Sequence, residues 1–318
     1  MAGRLETVAA AMVAALFLAG CGGGGERGAE SVALALDFTP NAVHAPVYAA
    51  VREGLDRREG VRIRIRAPGS GPDALKLVAS GRADLGILDI HDLGLALERG
   101  SDVVGVAALV QRPLAAILVR GDVRRPRDLE GRRVGVSGLP SDPAVLRAVL
   151  AGDGGRLARV KLVTIGFAAV PNLVQGKVDG VPAFWNAEGV ALRRRGVRTR
   201  EFRVDDYGAP RYPEVVLFTS RRALERRRGA IGAALRAIRA GVESVLRDPG
   251  RAVRQVAAAG DGDAGLVRAQ LDAVAPALSP PLRLDRAVLE RWADFDARFG
   301  IVRRRPDVAH GFVFDLVR

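Results

Sequence analysis

The chain has 318 residues, of which 48% are hydrophobic, 27% charged and only 5% aromatic, a balance that excludes a disordered, a collagenous and a multi-span membrane protein. Its 49 Lys and Arg against 36 Asp and Glu leave a formal charge of +13, and only three of the basic residues are lysines. That charge invites a nucleic-acid reading, whereas the length suits two lobes, each able to bury a core.

Arg4 precedes an apolar run from Val8 to Leu18, followed by Leu18-Ala19-Gly20-Cys21. A basic start, a short apolar core and small residues at a cut describe a secretory signal over residues 1–20. The run is well short of the ~20 residues that span a bilayer. Cys21 is the only cysteine, so the chain can form no internal disulfide and no thiolate metal site. Gly22–Gly25 follows it and makes residues 21–30 read as a flexible tether rather than core.

From Ser31 strands and helices alternate. Ser31–Leu36 reads as a buried strand, Pro46–Arg57 as a helix with Pro in its first turn, and Val61–Arg66 as a strand with one solvated face. Pro72–Ser80 is expected to be helical, Asp84–Leu88 extended, Asp92–Arg99 helical, and Val103–Val110 and Leu114–Arg120 extended. The pattern then restarts with a strand at Arg133–Ser137, a helix at Pro143–Leu150, a strand at Val160–Ile165, and a helix at Val170–Gly176. A strand at Asp179–Phe184, a helix at Ala187–Arg195 and a strand at Val215–Ser220 follow. The remainder is helical: Arg222–Leu246 with an interruption near Gly229–Gly232, Arg251–Ala259, Ala264–Val274 and Arg286–Phe299. Repeated strand–helix units predict an α/β fold with parallel sheets covered on both faces. The expected division is a first lobe over 31–120, a second over 121–214, and a mostly helical return to the first over 215–318.

Ligands of open α/β sheets bind beyond the carboxyl ends of the strands. Those ends carry Asp37, Phe38, Asn41 and His44 after the first strand, and Asp89 and His91 after the third. In the second half they carry Ser137, then Gly166-Phe167, then Trp185, Asn186 and Glu188; the loop Val204–Pro213 adds Tyr207 and Tyr212. Each has a structural alternative. Asp89, Asp92, Ser141 or Asp142 can cap the helix that follows, His44 can satisfy a helix start, and Trp185 can be either pocket wall or core. Tyr48 reads as packing, and Phe38 fits either role.

There is no phosphate-binding loop, no dinucleotide fingerprint, and no histidine placed to activate Ser137. The three histidines lack metal-ligand spacing, so neither a metal nor a cofactor is expected. The clusters Arg193–Arg195, Arg226–Arg228 and Arg303–Arg305 lack interleaved aromatics, which favours solvated faces over nucleic-acid contacts.

Several stretches carry a family likeness: LDFTPNAVHAPVYAA, GRADLGILDIHDL, VVGVAALVQRPLAAILV, RDLEGRRVGVSGLPSD, KVDGVPAFWNAEG and DDYGAPRYPEVVLFTS. Together they resemble the NMT1/THI5-like substrate-binding proteins, a group that extends to sulfonate, taurine and nitrate receptors. The resemblance implies a hinged, two-lobed periplasmic-binding-protein fold (type II), with the C-terminal helices packed on the first lobe and hinges near Arg120 and Val215. It also implies a monomeric receptor, not an enzyme, that delivers a solute to an ABC permease and its ATPase. The LDFTPN..H segment is similar to the branch that binds hydroxymethylpyrimidine-type thiamine precursors; riboflavin or a sulfonate is the alternative. The eukaryotic pyrimidine synthases of the family carry a cysteine-rich motif that this chain cannot supply. LAGC resembles the bacterial lipobox, which implies a diacylglycerol anchor on Cys21 and a place on the outer face of the cell membrane. A flat aminopyrimidine would take aromatic walls from Phe38, Trp185 and Tyr207, and acceptors from Asp37, Asp89 or Glu188. Asn41, His44 and Ser137 would complete the site.

Overall fold

The computed structural model describes residues 29–68, 73–260 and 262–317. The expected signal, tether and Cys21 therefore lie outside the described residues. Among the described residues, ten strands form two five-stranded sheets.

The first sheet has the order β2-β1-β3-β10-β4, with β1 Glu30–Ala35, β2 Val61–Arg66, β3 Leu85–Asp89, β4 Val103–Val110 and β10 Val215–Ser220. The second has the order β7-β6-β8-β5-β9, with β5 Ala115–Arg120, β6 Arg133–Val136, β7 Lys161–Thr164, β8 Gly180–Phe184 and β9 Thr199–Arg203. The two orders match position for position. In each, the fourth strand runs antiparallel to both neighbours: β10 against β3 and β4, β5 against β8 and β9. Both sheets are therefore mixed rather than parallel throughout. The antiparallel strand is in each case the one that arrives directly from the other lobe.

That geometry corrects the expected division. Leu114–Arg120, read with the first lobe, belongs almost wholly to β5, the fourth strand of the second sheet. The first crossing is the short segment from Gln111 to Leu114, not the neighbourhood of Arg120. The edge strand β9 was missed, because TREFR alternates charged residues around the single buried Phe202.

Among the helices, α1 Ala45–Arg52 and α2 Leu55–Arg58 replace one expected helix, since Gly54 between them takes a left-handed φ of +69°. They are followed by α3 Ala74–Ala79, α4 Ile90–Glu98, α5 Ser141–Gly152, α6 Ala169–Val174 and α7 Val190–Arg194. The C-terminal part contains α8 Arg221–Arg247, α9 Pro249–Ala257, α10 Ala264–Val274, α11 Arg286–Arg298 and the short α12 Val308–Gly311. The break in α8 falls at Arg227, where φ is −134°, and not at the glycines. There the Arg227 guanidinium reaches Glu30, Asp84 and the Ser31 carbonyl and ties the helix to β1.

Ile231, Ala234, Leu235, Ile238, Val242 and Val245 recur at helical spacing along α8 and are all buried in one cluster with α1 and the first sheet. A second cluster covers the other face of that sheet through Leu93, Trp292 and Phe312, and continues into the second lobe through Leu146, Val149 and Ile117. A smaller cluster around Leu118, Leu173 and Leu192 covers the remaining face of the second sheet. Among the described residues no helix is long and apolar enough to cross a membrane.

Candidate functional site

The carboxyl ends of β1 and β3 face those of β6, β7 and β8 across a cavity of about 630 Å3. Asp37, Phe38, Asn41, His44, Asp89, Ser137 and Glu188, seven of the nine residues singled out from sequence, line it. Trp185 and Tyr207 do not.

At the first strand end, Asn41 opens a short 3-10 turn. Its Oδ1 accepts from Val43 N–H at 2.9 Å, and its backbone N–H donates to His44 Nδ1 at 3.2 Å. The proton on His44 therefore sits on Nε2 and is donated to Asp37 Oδ1 at 2.8 Å. This is a reciprocal cap, so Asn41 and His44 satisfy the start of the helical segment and hold Asp37 in place while still bordering the cavity.

At the third strand end, Asp89 caps α4 through His91 N–H at 2.7 Å. Behind it lies a fully buried group. His91 Nδ1 donates to Asp296 at 2.8 Å, and its Nε2 lies 2.9 Å from the Tyr212 hydroxyl. Burial alone would lower the imidazole, but Asp296, helped by Asp89 and Glu214, outweighs it and holds the pKa at about 10. Glu214, on the return crossing, accepts from the N–H groups of Leu114 and Ala115 on the outgoing one and so straps the two crossings together. Burial and the neighbouring Glu214 push the Asp89 carboxyl well up. Asp89, His91 and Glu214 bring one donor atom each within 4.8 Å. Both imidazole nitrogens are already engaged, which makes the trio a hydrogen-bonded hub rather than a metal centre.

In the second lobe Ser137 Oγ accepts from Leu139 N–H at 3.2 Å, and Asp142 accepts from Ser137 N–H. Burial raises the Asp142 carboxyl to about 6 against those bonds. Residues Trp185–Gly189 form one π-helical turn after β8, an irregularity that re-aims side chains. It sends Glu188 into the cavity, where the carboxylate accepts from Phe184 N–H at 3.1 Å. Burial lifts Glu188 to about 7, with Asp142 and Asp37 adding to the effect. The same turn directs the Trp185 indole away, to donate to the Pro113 carbonyl at 3.3 Å beneath the Arg203 guanidinium. Trp185 thus packs at the crossing. Tyr207 stands edge-on to Phe202 at 6.1 Å, near Gly152.

The aromatic wall comes instead from Phe38 and Phe167, which meet across the cleft with ring centroids 4.5 Å apart, and from Phe184. Phe167 lies three residues beyond the end of β7, and that position near a strand end is its one sequence signal. A second bridge between the lobes was not anticipated: Ser141 N–H and Oγ–H donate to Asp92 Oδ1 and Oδ2 at 3.1 and 2.8 Å. Burial, reinforced by Asp89, raises Asp92 to about 8 despite these bonds.

Two lobes of one topology, closing on a cavity at their strand ends, define a two-lobed periplasmic-binding-protein fold. The chain belongs to the NMT1/THI5-like family, whose model matches residues 41–252. It is 32% identical over 248 residues to the formylaminopyrimidine-binding protein of Halalkalibacterium halodurans, across 76% of this chain and 75% of that one. It is 22% identical over 247 residues to the 4-amino-5-hydroxymethyl-2-methylpyrimidine phosphate synthase of Uromyces fabae, across 69% and 68%. The alkanesulfonate-binding protein SsuA of Xanthomonas axonopodis shares the fold, with a TM-score of 0.72 at 19% identity over 89% of this chain and 98% of that one.

Proposed function

We propose that the protein is the extracytoplasmic receptor of an ABC importer and binds a thiamine-precursor pyrimidine, of the hydroxymethyl or formylamino type, between its lobes. The observation that carries this reading is the pairing of a half-buried carboxyl, Glu188, with the apolar faces of Phe38 and Phe167 in one interlobar cavity. A planar heterocycle stacks on the rings, and its exocyclic amine donates to a carboxylate, a bond of the stronger, charge-assisted kind. The 32% identity to a formylaminopyrimidine-binding protein supports the same choice. A ligand touching both lobes binds the closed form better and shifts the population toward it. No covalent step is needed. Ser137 Oγ is held by Leu139 N–H, and His44 is held by Asn41 and Asp37. The permease and ATPase are the partners, and a lipid on Cys21 would keep the receptor at the outer membrane face.

Isothermal titration with hydroxymethylpyrimidine and its formylamino precursor tests the ligand; absence of heat and of thermal shift with both removes it. Fractionation of Cys21→Ala tests the anchor, with release from the membrane pellet as the expected result.

A further inference from the structure

Two of the helices that begin at the cleft, α4 and α5, have their N-termini closed by carboxyl groups. Asp89 caps α4 from its own chain segment, through His91 N–H. The start of α5 in the second lobe is capped from the first lobe by Asp92, which is buried and holds both Ser141 N–H and Ser141 Oγ–H. Several neighbouring amides are also spent. Ser137 N–H donates to Asp142, Leu139 N–H to Ser137 Oγ, and Asp142 N–H to the Leu139 carbonyl, while Pro143 has no N–H to give. Helix N-termini and free turn amides are what proteins use to hold sulfonate, sulfate or phosphate groups. Here a group of the protein's own stands in that place.

We infer that Asp92 is a specificity-determining residue: by occupying the α5 N-terminus from the opposite lobe, it keeps an anionic group of a ligand from binding at that end of the cleft. The carboxyls of Asp37 and Glu188 border the same cavity and make it less hospitable to an added anion. The basic side chains in its lining, apart from His44, are Lys76 and Arg99. The inference rests on reading the cleft as a solute site and narrows the chemical class that site accepts.

Inorganic sulfate is the probe, so the outcome is independent of whether a pyrimidine binds. The full exported chain is titrated with sulfate by calorimetry as wild type, Asp92→Ala and Asp92→Asn. Wild type is expected to give no saturable heat. Asp92→Ala frees Ser141 N–H and Oγ and is expected to bind sulfate at least ~10-fold more tightly. Asp92→Asn keeps an oxygen on Ser141 N–H and is expected to behave as wild type. Sulfate binding by wild type overturns the inference, as does a folded Asp92→Ala with no gain. A gain by Asp92→Asn equal to that of Asp92→Ala also overturns it, since occupancy would then not be the cause. Asp92→Ser gives a polar replacement if the alanine variant does not fold, and the wild-type arm needs no variant.

Discussion

Glu188 shows how a single burial decides a property. Its carboxyl is raised to about 7 because the π-helical turn after β8 partly shields it from water, not because of any one charged partner. Only the ionised form accepts a charge-assisted hydrogen bond from an amine. Affinity for hydroxymethylpyrimidine is therefore expected to rise from pH 6 to pH 8, through that pKa. Glu188→Gln should weaken binding ~10–100-fold at pH 8 and flatten the profile; calorimetry across that range checks both. His91 gives a second, opposite case. Its folded pKa of about 10 exceeds the ordinary 6.5, so its contribution to stability is complete below 6.5 and lost as pH rises through 10. Asp92, Asp142 and Glu188 titrate near 8, 6 and 7, which leaves the interval from pH 8 to 10 most characteristic of His91. Urea denaturation should show wild-type stability falling across that interval. Asp296→Asn should remove that slope and cost about 3–5 kcal/mol at neutral pH, as expected when one partner of a buried pair is lost.

At the level of elements, the close crossing of α1 and α8 positions the first strand-end loop. Gly241 on α8 lies so near α1 that a Cβ there would stand 2.1 Å from the Pro46 carbonyl oxygen. Pro46 is two residues beyond His44, so displacing α1 would move the turn that holds Asp37. Gly241→Ala is expected to destabilise by about 1–3 kcal/mol and to weaken ligand binding as well; thermal melting with and without ligand separates the two effects. The individual elements were mostly legible from sequence, because periodicity of apolar residues reports which face is buried. Strand direction was not. β5 and β10 read as ordinary buried strands, and their antiparallel placement follows only from their arrival out of the other lobe.

Across the whole molecule, the lobes meet through Asp92–Ser141, Phe38–Phe167, and Gln270 Nε2–H donating to the Ala187 carbonyl at 3.4 Å, with Glu214 strapping the crossings. Small-angle scattering should show a smaller radius of gyration on adding a ligand that binds both lobes; an unchanged radius on saturation would argue that the cleft does not close further. The three arginine clusters have a local role as well. Arg227 pairs with Glu30 and Asp84, Arg305 with Glu290 and Asp294, and Arg193 with Glu201. Each cluster thus has an arginine engaged on the protein's own surface, while the cleft gathers carboxyls.

The alternation of strands and helices, the restart that makes two lobes, and the strand ends where Asp37, Asp89, Ser137 and Glu188 stand are legible in the chain before it folds. These are local properties, written in periodicity and in position along each strand. The assembled fold is what turns Trp185 away, sets Phe167 against Phe38 and places β5 in the second sheet. It alone showed that a cap offered by residue 92 serves a helix beginning at residue 141. Those outcomes depend on which segments, distant in the chain, are brought to the same cleft, and no local pattern records that.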